Sequence, residues 1–189
     1  MRRKMVIILD FGGQYSLLIA RRVREEKVYC EVLPYNAPLE RIKSLNPSGI
    51  IFTGGPASVL DEKALFCDPG IFRLGIPVLG ICYGMQLMGH VLGGKVGKAS
   101  AREYGGTCIE FDTSSRMFSC FRDGGSNGAY GKTGAASVRE ICWMSHTDQV
   151  IEPPAGFVIT ARSENCPVAA MENDEKKLYA VQFHPEVVH

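Results

Sequence analysis

Apolar residues in the first half of the chain come in short runs, each bounded by Gly, Pro or Asn. KMVIILD (4–10), VYCEVLP (28–34), SGIIFTG (48–54) and PVLGI (77–81) are four such runs, with the length and make-up of buried strands. Between them the period changes. In QYSLLIARRVREE (14–26), Leu17, Leu18, Ala20 and Val23 recur at helical spacing. PLERIKSL (38–45) and DPGIFRLG (68–75) are shorter helical stretches opened by proline, and YGMQLMGHVLGG (83–94) predicts a helix ended by a glycine pair. Strand and helix alternating in this order predict an α/β fold in three layers: a mostly parallel central sheet with helices on both faces.

The second half reads differently. GTCIEF (106–111), REICWMS (139–145), GFVITAR (156–162), PVAAMEN (167–173) and KLYAVQF (177–183) are short strand-like runs with turns between them, which predicts antiparallel additions to the sheet. Residues 122–137, RDGGSNGAYGKTGAAS, are rich in Gly, Ser and Ala. Such a segment cannot bury enough apolar surface to offset the entropy of ordering it, so it predicts a surface loop. Its GAYGKTG string resembles a phosphate-binding loop. Ser126 stands where the first glycine of that pattern belongs, and no buried strand precedes it, so nucleotide binding is not expected there.

Composition narrows the classes. The 189 residues, 46% hydrophobic and 22% charged, suit one globular domain, and no internal repeat divides the chain. Lys and Arg number 21 against 20 Asp and Glu, so no positive field exists to hold a nucleic-acid backbone. The apolar stretch Met5–Leu9 is too short for a signal or a membrane span. Neither nucleic acid nor membrane is an expected partner. Among the seven cysteines no two lie closer than twelve residues, which excludes a CxxC zinc or redox pair and leaves reduced thiols in a cytoplasmic protein as the expectation.

One of those thiols sits at a corner. In PVLGICYGMQ (77–86), Cys82 falls between a strand and a helix with Gly80 and Gly84 on either side, the layout of a nucleophile elbow. A helix N-terminus carries partial positive charge, which favours a thiolate placed there. Such a nucleophile works with a base and an orienting carboxylate. In VQFHPEVVH (181–189), Pro185 biases His184 to extended backbone, so His184 and Glu186 share a face. His146, with Asp148 two residues on, is the rival pair. FTGGPASV (52–59) ends a strand at the same sheet edge, where the N–H of Gly55, with that of Tyr83, could hold an oxyanion; Pro56 has no N–H to offer.

GICYGMQLM, FTGGPASV and VQFHPEV together resemble the class I glutamine amidotransferases, whose fold is flavodoxin-like. DFGGQYSLLIARRVRE (10–25), REYGG (102–106) and CWMSHTDQV (142–150) narrow the likeness to the amidotransferase domains of the GMP synthase family. The resemblance implies that Cys82 attacks the side-chain amide of L-glutamine, His184 relays protons, Glu186 orients His184, and Gly55 and Tyr83 hold the oxyanion. It implies that Gln86, Ser145, His146, Thr147 and Asp148 line the glutamine pocket, which makes His146 a pocket residue rather than the base. No metal or cofactor is implied for this chain. Ammonia would pass to an ATP pyrophosphatase (synthetase) domain that uses ATP and Mg to aminate XMP to GMP. On this reading residues 1–189 are one amidotransferase domain, C-terminally truncated, with the synthetase part absent and 122–137 inserted. A related γ-glutamyl thiol hydrolase and a non-catalytic glutamine-sensing module are the alternatives.

Overall fold

The computed structural model describes residues 4–123 and 136–187. Strand β1 (Met5–Asp10), α1 (Ser16–Glu25), β2 (Tyr29–Pro34), α2 (Leu39–Leu45), β3 (Gly49–Phe52), a 3-10 turn (Pro69–Arg73), β4 (Val78–Ile81) and α3 (Tyr83–Val91) follow one another as the alternation predicts. Next come β5 (Lys95–Asp112), α4 (Ser119–Asp123), β6 (Ser137–Glu152), β7 (Val158–Arg162), β8 (Ala170–Asn173) and β9 (Leu178–Val181). All nine strands join one sheet in the order β2-β1-β3-β4-β9-β8-β7-β5-β6. From β2 to β9 the pairing is parallel, and from β9 through to β6 it is antiparallel.

β1 shows why the early runs are unbroken. Ile7 and Leu9 point into one core layer and Ile8 into the other, all three fully buried. A parallel strand covered on both faces needs apolar residues at every position. Helix α1 lays Ile19 and Ala20 on the Ile8 side, whereas Ile42 of α2 and Met85, Leu87 and Met88 of α3 pack on the other.

Two expectations change. The short strands predicted at 106–111 and 139–145 are parts of 18- and 16-residue strands. β5 touches β7 only through Glu110 and Phe111, so much of the β5–β6 pair is a ribbon at the sheet edge, where residues such as Tyr104 and Ile141 stay exposed and the alternation fades. The ends of the segment 122–137 also differ from the expected loop: Arg122 and Asp123 end α4, and Ser137 opens β6. Residues 124–135, GAYGKTG included, lie outside the described residues.

Helix α3 sits hard against the strands that precede it. A β-carbon on Gly84 would lie 2.6 Å from Phe52 Cβ and 2.7 Å from Phe52 O, with no flexible side-chain end to give way. Gly84→Ala is therefore expected to destabilise the domain by about 1–3 kcal/mol, the usual cost of overpacking. Urea unfolding is the measurement, and an unchanged midpoint would refute the packing argument.

Candidate active site

β3, β4 and β9 are neighbours running in one direction, with Phe52 paired to Gly80 and Ile81 to Val181. Their carboxyl ends converge, and ligands of open parallel sheets bind at such edges. Beyond those ends lie Thr53–Gly55, Cys82 and Gln182–Glu186, which lets residues 100 positions apart in sequence meet.

Cys82 is the N-cap of α3 at φ +52° and ψ −104°, a left-handed φ that a side chain adopts at a cost of about 1–3 kcal/mol. Its N–H donates to Val181 O (2.8 Å) and its carbonyl accepts from Met85 and Gln86, so sheet and helix together hold the corner. The sulfur lies 3.6 Å from Ser145 O and 3.6 Å from Gln182 Nε2, which donates to it. His184 Nδ1 and Glu186 Oε1 are 2.8 Å apart, both side chains buried, and the His184 N–H donates to Trp143 O (2.8 Å), fixing the backbone beneath the ring. Tyr15 meets the imidazole edge-on at 5.2 Å between ring centroids.

Burial alone would lower the pKa of His184. Hydrogen bonds to the Cys82 sulfur and to Glu186, and the charge on each, outweigh it and lift the imidazole to about 9. A pKa raised in this way favours the imidazolium, with the Nδ1 proton toward Glu186. Desolvation pushes the thiols of Cys67 and Cys166 up to about 12 and that of Cys142 up to about 11, which keeps them protonated.

His146, the rival base, has both ring nitrogens engaged away from the catalytic pair. Its Nε2 lies 3.3 Å from Glu103 Oε2, and its Nδ1 lies 3.2 Å from the main-chain oxygen of Asp148 rather than from the carboxylate. Burial, the largest influence, holds its pKa below the ordinary value. Glu103, His146 and Cys166 bring ligand-type atoms within 4.8 Å of one another. Each already has a protein partner: Ser163 Oγ donates to Glu103 Oε1 (2.9 Å), and Cys166 Sγ to Val168 O (3.4 Å).

Two cavities meet at Cys82. One, of about 400 Å³, is lined by Gln86, Ser145, His146, Thr147 and Asp148, the residues expected around one pocket, together with Tyr83. The Asp148 carboxyl is buried, and its Oδ1 has no hydrogen bond, with Lys98 Nζ 3.4 Å away as its one ion-pair partner among the described residues. Gln86 borders this cavity, but its amide is spent on the wall, donating to Asp148 O (2.7 Å) and Gln182 Oε1 (3.4 Å). The other cavity, of about 290 Å³, is lined by Gly12–Tyr15, Gly54 and His184. Gly55 lines both. Tyr83 opens α3, so its N–H has no carbonyl a turn earlier in the helix to bond.

Gln182 is a residue that the sequence motifs do not single out. It lies two positions before His184 and directly after β9, and that nearness in sequence is the signal that could have found it.

The model of the glutamine amidotransferase class-I family matches residues 7–189. The chain belongs to the class I glutamine amidotransferases. Proteins named GMP synthase [glutamine-hydrolyzing] are similar over all 189 residues, at 60% identity in Acetivibrio thermocellus and 61% in Ruminiclostridium cellulolyticum. The chain spans 34% of the length of each. Among solved structures, a Thermoplasma acidophilum protein described as one of the subunits of GMP synthase superposes with a TM-score of 0.80 at 25% identity, covering 100% of this chain and 87% of that one. A Thermotoga maritima glutamine amidotransferase, at 21% identity and a TM-score of 0.69 over 99% of this chain and 78% of its own, shares the fold.

Proposed function

We propose that this amidotransferase chain is the glutaminase part of a GMP synthase, releasing ammonia from L-glutamine for a synthetase domain that uses ATP and Mg to convert XMP to GMP. The observation that carries the chemistry is Cys82, held at φ +52° on a strand–helix corner, with His184 and Glu186 hydrogen-bonded beside it. The names of its relatives supply the acceptor.

In this mechanism glutamine fills the polar cavity, its α-ammonium at the Asp148 carboxylate in place of Lys98, its side-chain amide at Cys82. The cavity wall at Ser145, His146, Thr147 and Gln86 sets its depth. Cys82 Sγ attacks the amide carbon, and the oxygen, now negative, is held by the N–H groups of Gly55 and Tyr83. His184 gives its proton to the nitrogen as the C–N bond breaks, ammonia leaves, and a γ-glutamyl thioester remains. Water then attacks the thioester, His184 takes its proton, and glutamate and the Cys82 thiolate are regenerated. The second cavity, lined by Gly12–Tyr15 and His184, also opens at Cys82 and is the proposed path for departing ammonia. The seven unpaired cysteines suit a reducing compartment such as the cytoplasm.

The test is ammonia release from L-glutamine, L-asparagine and γ-glutamyl peptides, with the chain alone and with the synthetase domain, ATP, Mg and XMP present. The expected result is turnover of glutamine far above the others and GMP formed in step with glutamate. Preference for γ-glutamyl peptides, or no hydrolysis in any mixture, would overturn the reading.

A further inference from the structure

We infer that Thr53 is a positioning residue that sets the direction of the Gly55 N–H. This rests on the reading of Gly55 and Tyr83 as the oxyanion donors.

Two consecutive glycines after β3 leave their shared peptide free to turn as far as sequence can tell. The structure ties it. Thr53 is buried, and its Oγ1 accepts from the Phe11 N–H (3.0 Å) while donating to Gly54 O (2.8 Å). A hydroxyl has one proton. With the Phe11 N–H filling an acceptor site, that proton goes to the Gly54 carbonyl.

The sheet order then gives the direction. β3 lies between β1 and β4. Phe11 and Gly13 follow β1, and the Gly54 carbonyl lies against Gly13, where any side chain would collide with it. That carbonyl is thus turned to the β1 side. The peptide is trans, so the Gly55 N–H points the opposite way, to the β4 side, where Cys82 and Tyr83 stand. The preceding peptide is anchored as well, since Thr53 N–H donates to Leu9 O (3.1 Å) and Thr53 O accepts from the Gly84 N–H (3.2 Å). A side chain at Gly54 would press on the imidazole: a β-carbon there would lie 3.0 Å from His184 Cε1, so the ring would have to shift by a few tenths of an ångström. Glycine leaves the imidazole its position, and Thr53 removes the freedom that glycine brings.

Thr53→Val keeps the shape and deletes the hydroxyl. Its kcat for glutamine should fall about 10- to 100-fold with KM little changed, as for loss of an interaction made only with the oxyanion. Alkylation of Cys82 by iodoacetamide, a displacement with no oxyanion, should keep its wild-type rate, and Thr53→Ser should restore kcat. The crystal structure of Thr53→Val, or of Thr53→Ala if the valine variant folds poorly, should show the Gly54–Gly55 peptide turned or in two orientations. An unmoved peptide, an unchanged kcat, or kcat and alkylation falling together would overturn the assignment. Absence of glutamine hydrolysis in the wild type would instead refute the donor reading, with the peptide orientation still deciding the role of Thr53.

Discussion

Cys82→Ala is expected to abolish glutamine hydrolysis, by about ten-thousandfold or more, because removal of a nucleophile leaves only binding and oxyanion stabilisation. Stability should scarcely change. Alanine keeps the β-carbon at φ +52°, so the backbone cost remains, and loss of the small sulfur costs its long contacts with Gln182 Nε2 and Ser145 O and its interaction with His184. In the wild type a glutamine-shaped chloroketone should alkylate Cys82 alone. Cys108 and Cys120 are the exposed thiols, so a reagent guided by accessibility would choose them. Peptide mapping separates the two outcomes. Label concentrated on Cys108 or Cys120, or hydrolysis surviving in Cys82→Ala, would remove Cys82 from the mechanism.

His184→Ala and Glu186→Gln should differ in both severity and pH dependence. Without His184 neither the leaving nitrogen nor the attacking water has a proton relay, so the rate should fall by about a hundred- to ten-thousandfold. In Glu186→Gln the carbonyl oxygen can take the place of Oε1, 2.8 Å from Nδ1, and keep the ring oriented; the loss should be smaller. What changes is charge. Glu186 is one of the groups holding His184 at about 9, so glutamine at 186 lowers that pKa and the alkaline limb of the rate profile moves to lower pH. Stability follows the same sign. A histidine raised from 6.5 to about 9 on folding contributes stability that is complete below pH 6.5 and is lost as pH rises through about 9. Urea midpoints of the wild type should fall across that window, and those of His184→Ala should fall less. Equal rate losses in the two variants, or an alkaline limb that stays put in Glu186→Gln, would mean that another group orients the imidazole.

The parallel half of the fold was legible because burial on both faces writes itself as continuous apolar runs: Ile7, Ile8 and Leu9 could belong to nothing else. The corner at Cys82 was legible for a related reason, since Gly80 and Gly84 mark where backbones must touch. The β5–β6 ribbon was not. Its residues face solvent at Tyr104 and Ile141 and place a buried carboxylate at Glu103, and no single period survives that mixture. Polar walls were equally hidden. Gln86 reads as a pocket residue, yet its amide is occupied by Asp148 O and Gln182, because the position of a side chain along a helix says nothing about which neighbour claims its hydrogen bonds. Thr53 reads as the end of a strand, and one of its hydrogen bonds depends on Phe11, 42 residues earlier.

β9 joins the two halves of the sheet, pairing with β4 on one side and β8 on the other. It is also the last of these strands to leave the ribosome. Until it emerges, β4 has an unpaired edge, and Cys82 lacks both the Val181 carbonyl that anchors its N–H and the imidazole that follows. The nascent chain thus carries its thiol at an unfinished, aggregation-prone edge but without the means to use it. Reactivity and completion of the sheet arrive in one event, so a chain stalled or clipped before β9 would be a client for chaperones and proteases, not a leaking source of ammonia.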